Sequence, residues 1–528
     1  MRRNLTRWPA TNLASNRIGD IMSVNVVIFS DVNGVIGFGR YGGAYRVATV
    51  LRNAGYSVQV VEFLASWSLE DLRDIAAKYI DRSTLFVGFA TSLLIKRETK
   101  TAIERLERTK SNRNGGHLPQ DDDFVAEMFS IFRRRNSNVK IVIGGGKSAV
   151  TGMGGVDFWM WGPADVSAVA LCRHLEKDVP LITRKARSGV AVAHADYPFH
   201  GFSESHIDYQ LQDLIFDGEH LPIEIDRGCI FRCTFCANQL FRKKGQMIKG
   251  RKTLHDEMQR NFNLFGTTGY MFCDDTTNDS REKVTELHRN ITSLPFQISW
   301  TGFGRVDVIH THREQRELLL DTGIKAILFG IETLNHEAGK GVGKGLNPMK
   351  VKDTLRYLGE TWKGKVAMTG SFIVGLPGED EDSVYRTAEW VQSDDCPLDT
   401  AIFSPLNIRA ADSDDPNAPI SRIAKDPKSY GYEVSDRRPG RGVSTDGPYW
   451  RNDLMDKIRA TKIVDDIQSS MQQGVPRIAD WAVYSRLRNL GYDHHSVMEK
   501  KATDVEFVNA AMARHADMFS AYREKLLA

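Results

Sequence analysis

Cys229, Cys233 and Cys236 stand in the run Cys229-Ile-Phe-Arg-Cys233-Thr-Phe-Cys236, a C-x3-C-x2-C spacing. Three thiols on one short loop suit a metal centre. A cluster held entirely by protein normally takes four cysteine ligands, and so does a typical tetrahedral zinc site. With three thiolates, a [4Fe-4S] cube keeps one iron open, and an open iron can bind a substrate or cosubstrate. A zinc knuckle and a disulfide pair are the alternatives. Zinc asks for a fourth ligand close by, and no Cys or His lies between Cys236 and His255.

The elements that must position this loop read as an α/β protein. Pro222-Ile-Glu-Ile-Asp-Arg-Gly228 is a short strand running into a glycine turn, with the cysteines just beyond. From 221 to about 410 strand candidates alternate with helices: Tyr270–Cys273, Gln297–Trp300, Ala326–Phe329 and Ser371–Val374. Residues 23–180 alternate in the same way. Strands are expected at Val24–Phe29, Ser57–Phe63, Leu85–Phe89 and Val139–Ile143, with helices at Tyr45–Ala54 (ended by Gly55, a C-cap residue) and near 124–135. Short apolar strands separated by helices call for a parallel sheet covered on both faces. Segment 108–123 reads as a polar surface insertion, 181–220 as a linker, and 411–528 as loop followed by a mainly helical region.

Composition sets the broad class. With 528 residues, 41% apolar and 26% charged, the chain has material for two or three domains with real cores. No apolar run approaches the ~20 residues of a membrane helix. A formal charge of +3 does not indicate nucleic acid. The basic Arg242-Lys-Lys244 and Lys249-Gly-Arg-Lys252 runs read first as solvated faces. Six cysteines, three of them in one loop, do not form a disulfide framework. An oxygen-sensitive cluster needs a reducing compartment, so the cytoplasm is expected. Residues 1–22 are basic and faintly like a transit peptide; a disordered arm, or a true start at Met22, is the plainer expectation.

The cysteine spacing, with Phe235 just before the last cysteine, resembles the radical S-adenosylmethionine (SAM) superfamily. The resemblance covers residues 221–380 well. It implies a partial (βα)6 TIM-like barrel, a cluster on Cys229, Cys233 and Cys236, and SAM chelating the open iron before cleavage to a 5′-deoxyadenosyl radical. It places Asp274 and Asp275 near SAM's amino end, where a carboxylate suits an ammonium. A helix N-cap competes for one of the two. Arg305 is implied at SAM's carboxylate, with a surface arginine as the alternative. Glu332 of Gly330-Ile-Glu332 is implied at the ribose, against a structural salt bridge. Ile373 is implied at the adenine, and Phe235 gives backbone contacts to the same ring. Cys273 and Cys396 read as small apolar strand residues.

Residues 23–180 resemble the Rossmann-like cobalamin-binding domains attached to many radical SAM enzymes. Ser92-Leu-Leu94 matches that domain's S-x-L element, Gly144-Gly145 its G-G element, and Val156–Gly162 its closing strand. Glycine there lets the backbone approach a cofactor closely. The first element, D-x-H-x-x-G, is degenerate: Asp31-Val-Asn33 puts Asn33 where the axial histidine would be. Two alternatives stand beside cobalamin. One is a scaffold without cofactor. The other is a dinucleotide site at Gly37-Phe-Gly39-Arg-Tyr-Gly42 with Glu62, although about seven residues separate Gly37 from the strand it should follow directly.

Together the resemblances imply a cobalamin-dependent radical SAM enzyme, most simply a methyltransferase acting on an unactivated carbon. They also imply an external electron donor such as flavodoxin or ferredoxin. A non-methylating rearrangement or ring closure fits the same motifs, and an iron–sulfur scaffold without SAM cleavage is the non-enzymatic reading. A methylthiotransferase would need further N-terminal cysteines, and residues 1–171 contain none.

Overall fold

The computed structural model describes residues 24–31, 38–90, 122–145, 154–185, 189–193, 202–236, 247–408, 420–435, 437–438, 442–443, 448–474, 481–500 and 504–528. The expectations for the 1–22 arm, Asn33, Ser92, Leu94, Arg242–Lys244 and most of the 108–123 insertion lie outside the described residues.

Short β-branched runs, buried on both faces, build the first sheet. Its strands are β1 (Val26–Phe29), β2 (Val58–Val61), β3 (Phe86–Ala90), β4 (Lys140–Gly145), β5 (Phe158–Trp161), β6 (Thr183–Lys185) and β7 (Ala191–Ala193). They lie in the order β2-β1-β3-β4-β5-β7-β6, and only β6 is antiparallel to its neighbour. Alternate side chains of β1 face opposite layers, as strand geometry requires. Val26 and Ile28 pack with α1 (Gly42–Asn53) and helix Ser167–Lys177. Val27 and Phe29 pack with α2 (Leu69–Tyr79) and helix Asp122–Arg135. The strand order turns back between β1 and β3, and α/β sheets bind ligands outside the carboxyl ends at such a point.

The stretch 181–220, expected as a linker, is built into the domains instead. β6 and β7 extend the first sheet, and Ile207, Tyr209, Ile215 and Phe216 are buried. A polar edge strand such as Thr183-Arg-Lys185 carries no apolar periodicity to announce it.

The second sheet runs β15-β14-β13-β12-β11-β8, all parallel. Its strands are β8 (Leu221–Ile223), β11 (Gly269–Phe272), β12 (Ser299–Gly304), β13 (Ile324–Glu332), β14 (Ala367–Val374) and β15 (Thr400–Pro405). Six successive strands with helices between them make the expected partial (βα)6 barrel. Between β8 and β11, β9 (Asp226–Arg227), just ahead of the cysteines, pairs antiparallel with β10 (Met247–Ile248), which follows them. Helix Trp481–Asn489 plugs the barrel's amino end. Its Ser485 hydroxyl lies 3.2 Å from that of Thr301, and Tyr484 and Leu487 share a core with Ala326 and Ala367.

The helical C-terminal region returns to the first domain. Helix Val505–Leu527 lays Phe519 and Tyr522 edge-on against Phe63 and Trp67, and the Tyr522 hydroxyl accepts the Glu62 amide at 3.2 Å. The fully buried Arg40 ties the two domains together. It donates through Nε to Glu219 Oε1 (2.7 Å), and its Nη atoms reach the Asp213 and Leu214 carbonyls.

Glu62, at the end of β2, is buried with its Oε1 accepting the Tyr41 amide at 3.2 Å. Burial pushes its carboxyl up to about 8, although Arg40 and that amide work against the shift. Between the ordinary carboxylate range and that value, the folded chain keeps a proton the unfolded chain has released. Stability therefore falls as pH rises through this window and levels off above it, at up to ~1.4 kcal/mol per pH unit. Thermal unfolding of wild type and Glu62→Gln across that window checks this: the wild-type melting temperature should fall more steeply than the variant's. Parallel curves would remove Glu62 from the balance.

Candidate functional site

The cysteine loop is held from behind before it offers a thiol. Two residues beyond β11, Asp274 turns its buried carboxylate toward the loop, and Oδ1 accepts the amides of Ile225 (2.8 Å) and Asp226 (3.0 Å). Asp226 in turn receives Lys283, whose ammonium also donates to the Thr276 carbonyl at 2.7 Å. Burial raises both Asp226 and Asp274; the Asp274 carboxyl adds to the rise at Asp226 and Glu224 to that at Asp274, while Lys283 opposes both. Asp274, expected at SAM's amino end, thus clamps the backbone through Oδ1.

Further along, the Thr234 amide donates to the Val342 carbonyl (3.2 Å), and the Ile423 amide donates to the Thr234 carbonyl (3.1 Å). The Cys229 sulfur lies 3.7 Å from the Thr276 hydroxyl. Arg305 sits 3.8 Å over the Phe231 ring, donates through Nη1 to Cys233 Sγ at 3.4 Å, and grips Asp307 with Nε and Nη2 at 2.9 and 2.5 Å. This is neither a surface arginine nor a free one: its guanidinium is spent on the cysteine loop and Asp307. Among the described residues, no three His, Cys, Asp or Glu side chains gather around a single ion position. An iron–sulfur cluster takes one thiolate per ligated iron, and three separated thiols on a loop braced from behind fit that demand.

Four other expected residues arrive on one rim. Asp275, Arg305, Glu332 and Ile373 stand at the carboxyl ends of β11, β12, β13 and β14 in turn. Asp275 is half-buried and is no helix cap, since the helix that follows begins at Arg281 with Ser280 as its cap. Glu332 has φ 71°, a left-handed conformation at the place where β13 slips register against β14. Such a residue costs of order 1–3 kcal/mol and persists where the surroundings over-determine it. Its carboxyl is raised by burial, with Lys344 3.9 Å away in opposition. That pair is loose, because the Lys344 ammonium donates to the Gly330 carbonyl at 2.6 Å. Ile373 and Phe235 are both half-buried against the core.

The carboxyl ends of the two sheets open onto a shared cavity of about 590 Å³. Phe86 and Met160 lie along its wall on the first domain, beside the ends of β1 and β3 and the bare backbone of Gly144 and Gly145. A Cβ on Gly144 would meet only the Met160 and Phe89 carbonyls, at 4.0 Å, and Gly145 has φ 125°. Met271, Asp275 and Phe303 face them from the barrel. An apolar wall with two glycines, on the strand next to the switch point, fits a broad, flat ligand. Arg305, Glu332 and Ile373 do not line this cavity.

Of Cys273, Cys396 and Glu379, only the carboxylate, Glu379, had no reading in the sequence. Cys273 is exposed to the cavity rather than packed as a small core residue, and burial from bulk solvent raises its thiol. Cys396 is half-buried, and burial pushes it up to about 11. Glu379, in the Gly-Leu-Pro-Gly-Glu turn after β14, accepts the Thr333 hydroxyl (2.5 Å) and the Gly375 amide (3.0 Å). Burial raises Glu379 to about 7. A glycine-rich turn ending in a carboxylate was the available signal.

Residues 223–391 match the model of the Radical SAM superfamily. An uncharacterized methyltransferase of Pyrococcus horikoshii is 27% identical over 185 residues, 34% of this chain and 37% of that protein. A putative methylthiotransferase of Methanocaldococcus jannaschii is 28% identical over 203 residues, 35% of this chain and 42% of that protein. The chain thus spans less than half the length of either curated relative. Among solved structures, the radical SAM methyltransferase TsrM of Kitasatospora setae, with tryptophan and a SAM analogue bound, superposes with TM-score 0.61. The superposition covers 95% of this chain and 100% of that one at 15% identity. The cobalamin-dependent radical SAM enzyme OxsB, with aqua-cobalamin and SAM bound, gives TM-score 0.50 over 96% of this chain and 72% of that one at 13% identity. At such identities the likeness is one of fold.

If Asp274 acts as the loop clamp, Asp274→Ala leaves two buried amides without an acceptor, at ~1–3 kcal/mol each. Asp274→Asn keeps an acceptor oxygen. Iron per chain after anaerobic reconstitution should fall several-fold in the alanine variant and stay near wild type in the asparagine variant. Equal iron in all three would contradict the clamp.

Proposed function

We propose, from the radical SAM domain that this chain carries at residues 223–391, that it is a cobalamin-dependent radical SAM enzyme and a methyltransferase acting on an unactivated carbon. One observation carries the reading. The sheet end beside the three cysteines and the sheet end carrying Gly144-Gly145 face each other across one cavity. Two cofactors held on those faces would have substrate between them. TsrM is a radical SAM methyltransferase seen with cobalamin and a [4Fe-4S] cluster bound, OxsB is a cobalamin-dependent radical SAM enzyme, and the shared fold supports extending that chemistry here.

When bound, the cluster supplies the electron that cleaves SAM, and cobalamin supplies the methyl group. The protein's part is to bind, orient and exclude water. Cys229, Cys233 and Cys236 would hold the cluster, with Arg305 steadying Cys233 by a charge-assisted contact. Asp275 offers a carboxylate to SAM's ammonium, Glu332 reaches the ribose, and Ile373 and Phe235 flank the adenine. Arg305, held by Asp307 and Cys233, would stand beside the cluster rather than swing freely to SAM's carboxylate. Gly144 and Gly145 would let the corrinoid lie against backbone. Asn33, Ser92 and Leu94 complete that site by resemblance. Substrate enters the apolar remainder of the cavity, whose Phe and Met walls exclude water from reactive carbon. The electron comes from an external flavodoxin- or ferredoxin-like donor, consistent with a cytoplasmic setting. No helix among the described residues is long and apolar enough to cross a membrane.

Anaerobically reconstituted protein, given SAM, a reductant and methylcobalamin, tests this in wild type and Cys233→Ala. Wild type should form 5′-deoxyadenosine and retain about one corrinoid per chain, and the variant should form none above background. Deoxyadenosine without corrinoid would remove the methylation claim. Equal deoxyadenosine in both proteins would remove the cluster assignment.

A further inference from the structure

Four charged side chains that the chemistry leaves unused stand along the cavity and cross from one domain to the other. Asp165, in the loop after β5, accepts Arg46 Nε of α1 on Oδ1 at 2.6 Å and Arg227 Nη1 of β9 on Oδ2 at 2.8 Å. Arg227 closes on Glu224 with Nε at 3.0 Å and Nη2 at 2.7 Å, and its guanidinium lies 5.0 Å from the Phe202 ring centre. Arg46 anchors its own end by donating to the His206 carbonyl at 2.6 Å. All four line the cavity, yet the Asp165 side chain is only 4% exposed and that of Glu224, the most open, 21%.

Two cations and two anions balance, and each is answered. Moving one member alone would strand a partly buried charge, which costs far more than a surface pair returns. The set therefore shifts as a unit or not at all. Both of its ends matter. On the first domain, Gly145 of β4 pairs with Trp161 of β5, and the chain then runs through Gly162, Pro163 and Ala164, which line the cavity, to Asp165. A ligand against the Gly144-Gly145 wall meets that loop. On the barrel, Arg227 is followed by Gly228 at φ 107° and then by Cys229. No side chain lies between the relay and the first ligand cysteine.

We propose that this relay couples the occupant of the cavity to the three-cysteine loop, with Asp165 as the positioning residue through which a bound corrinoid steadies residues 225–236. The coupling rests on the cobalamin reading above. It is reciprocal by linkage: a loaded cysteine loop favours corrinoid as much as corrinoid favours the loop.

Hydrogen exchange of the cluster-loaded chain, with and without hydroxocobalamin, tests it in wild type, Asp165→Asn and Asp71→Asn. Asp71 pairs with Arg523 on the far side of the first domain and serves as the control. Visible corrin absorption of the same samples reports binding independently. Hydroxocobalamin should slow exchange across 225–236 at least about fivefold, the low end of ordinary coupling, in wild type and Asp71→Asn. In Asp165→Asn that retains corrinoid, the slowing should vanish. The same slowing in corrinoid-bound Asp165→Asn overturns the proposal. Failure of wild type to retain corrinoid overturns the cobalamin reading and the proposal with it, and the absorption tells the two failures apart. Should Asp165→Asn not fold, Arg227→Lys carries the test, because lysine cannot reproduce the fork that holds Glu224 and Asp165 together.

Discussion

A loop that carries three cysteines within eight residues cannot be shaped by those side chains alone. It must be held by the fold around it. Here the bracing comes from Asp274, which takes two successive loop amides, and from Arg305, which sits against Cys233 and Phe231. Lys283 stands behind Asp226 and makes a buried carboxylate tolerable. Every functional inference about this chain depends on that bracing. Without it, the cysteines would be three thiols on a mobile connection, and the barrel rim would have nothing to face.

The same logic of holding from behind extends to the whole chain. The carboxyl ends of both parallel sheets must point at one space, so their common orientation has to be secured elsewhere. Helix Trp481–Asn489 does this at the barrel's amino end. There the Asn489 side chain bonds both Phe38 of the first domain and His220 at the barrel's entry. The buried Arg40–Glu219 pair does it between the domains. Helix Val505–Leu527 covers the aromatic edge at Phe63 and Trp67, which the first domain alone would leave to water. Buried ion pairs of this kind contribute little net stability but make the wrong arrangement costly, and a two-faced site needs that property most.

What could be read in the chain beforehand was local. The C-x3-C-x2-C spacing, the β-branched runs and the Gly144-Gly145 pair all lie within a few neighbouring residues, and each found its place in the fold. Asp274 stood at the correct strand end, but its direction depended on amides nearly fifty positions earlier. Arg305 likewise turned toward a cysteine 72 residues away. The relay through Asp165 joins four residues from separate elements, and nothing in their surroundings sets any of them apart. β6 and β15 were missed for a different reason. One is a three-residue polar edge strand, and the other is an edge strand with mixed burial that ends in proline. Periodicity reports burial of a face, and neither segment has the contrast to show one.

The proposed chemistry stands on two cofactor faces meeting across one cavity. Anomalous diffraction from crystals grown anaerobically with hydroxocobalamin, collected at the iron and cobalt edges, addresses it most directly. The account predicts iron density bounded by Cys229, Cys233 and Cys236, and a cobalt peak inside the cavity beside Gly144 and Gly145. Iron at the cysteines with cobalt absent, or bound outside that cavity, would contradict it.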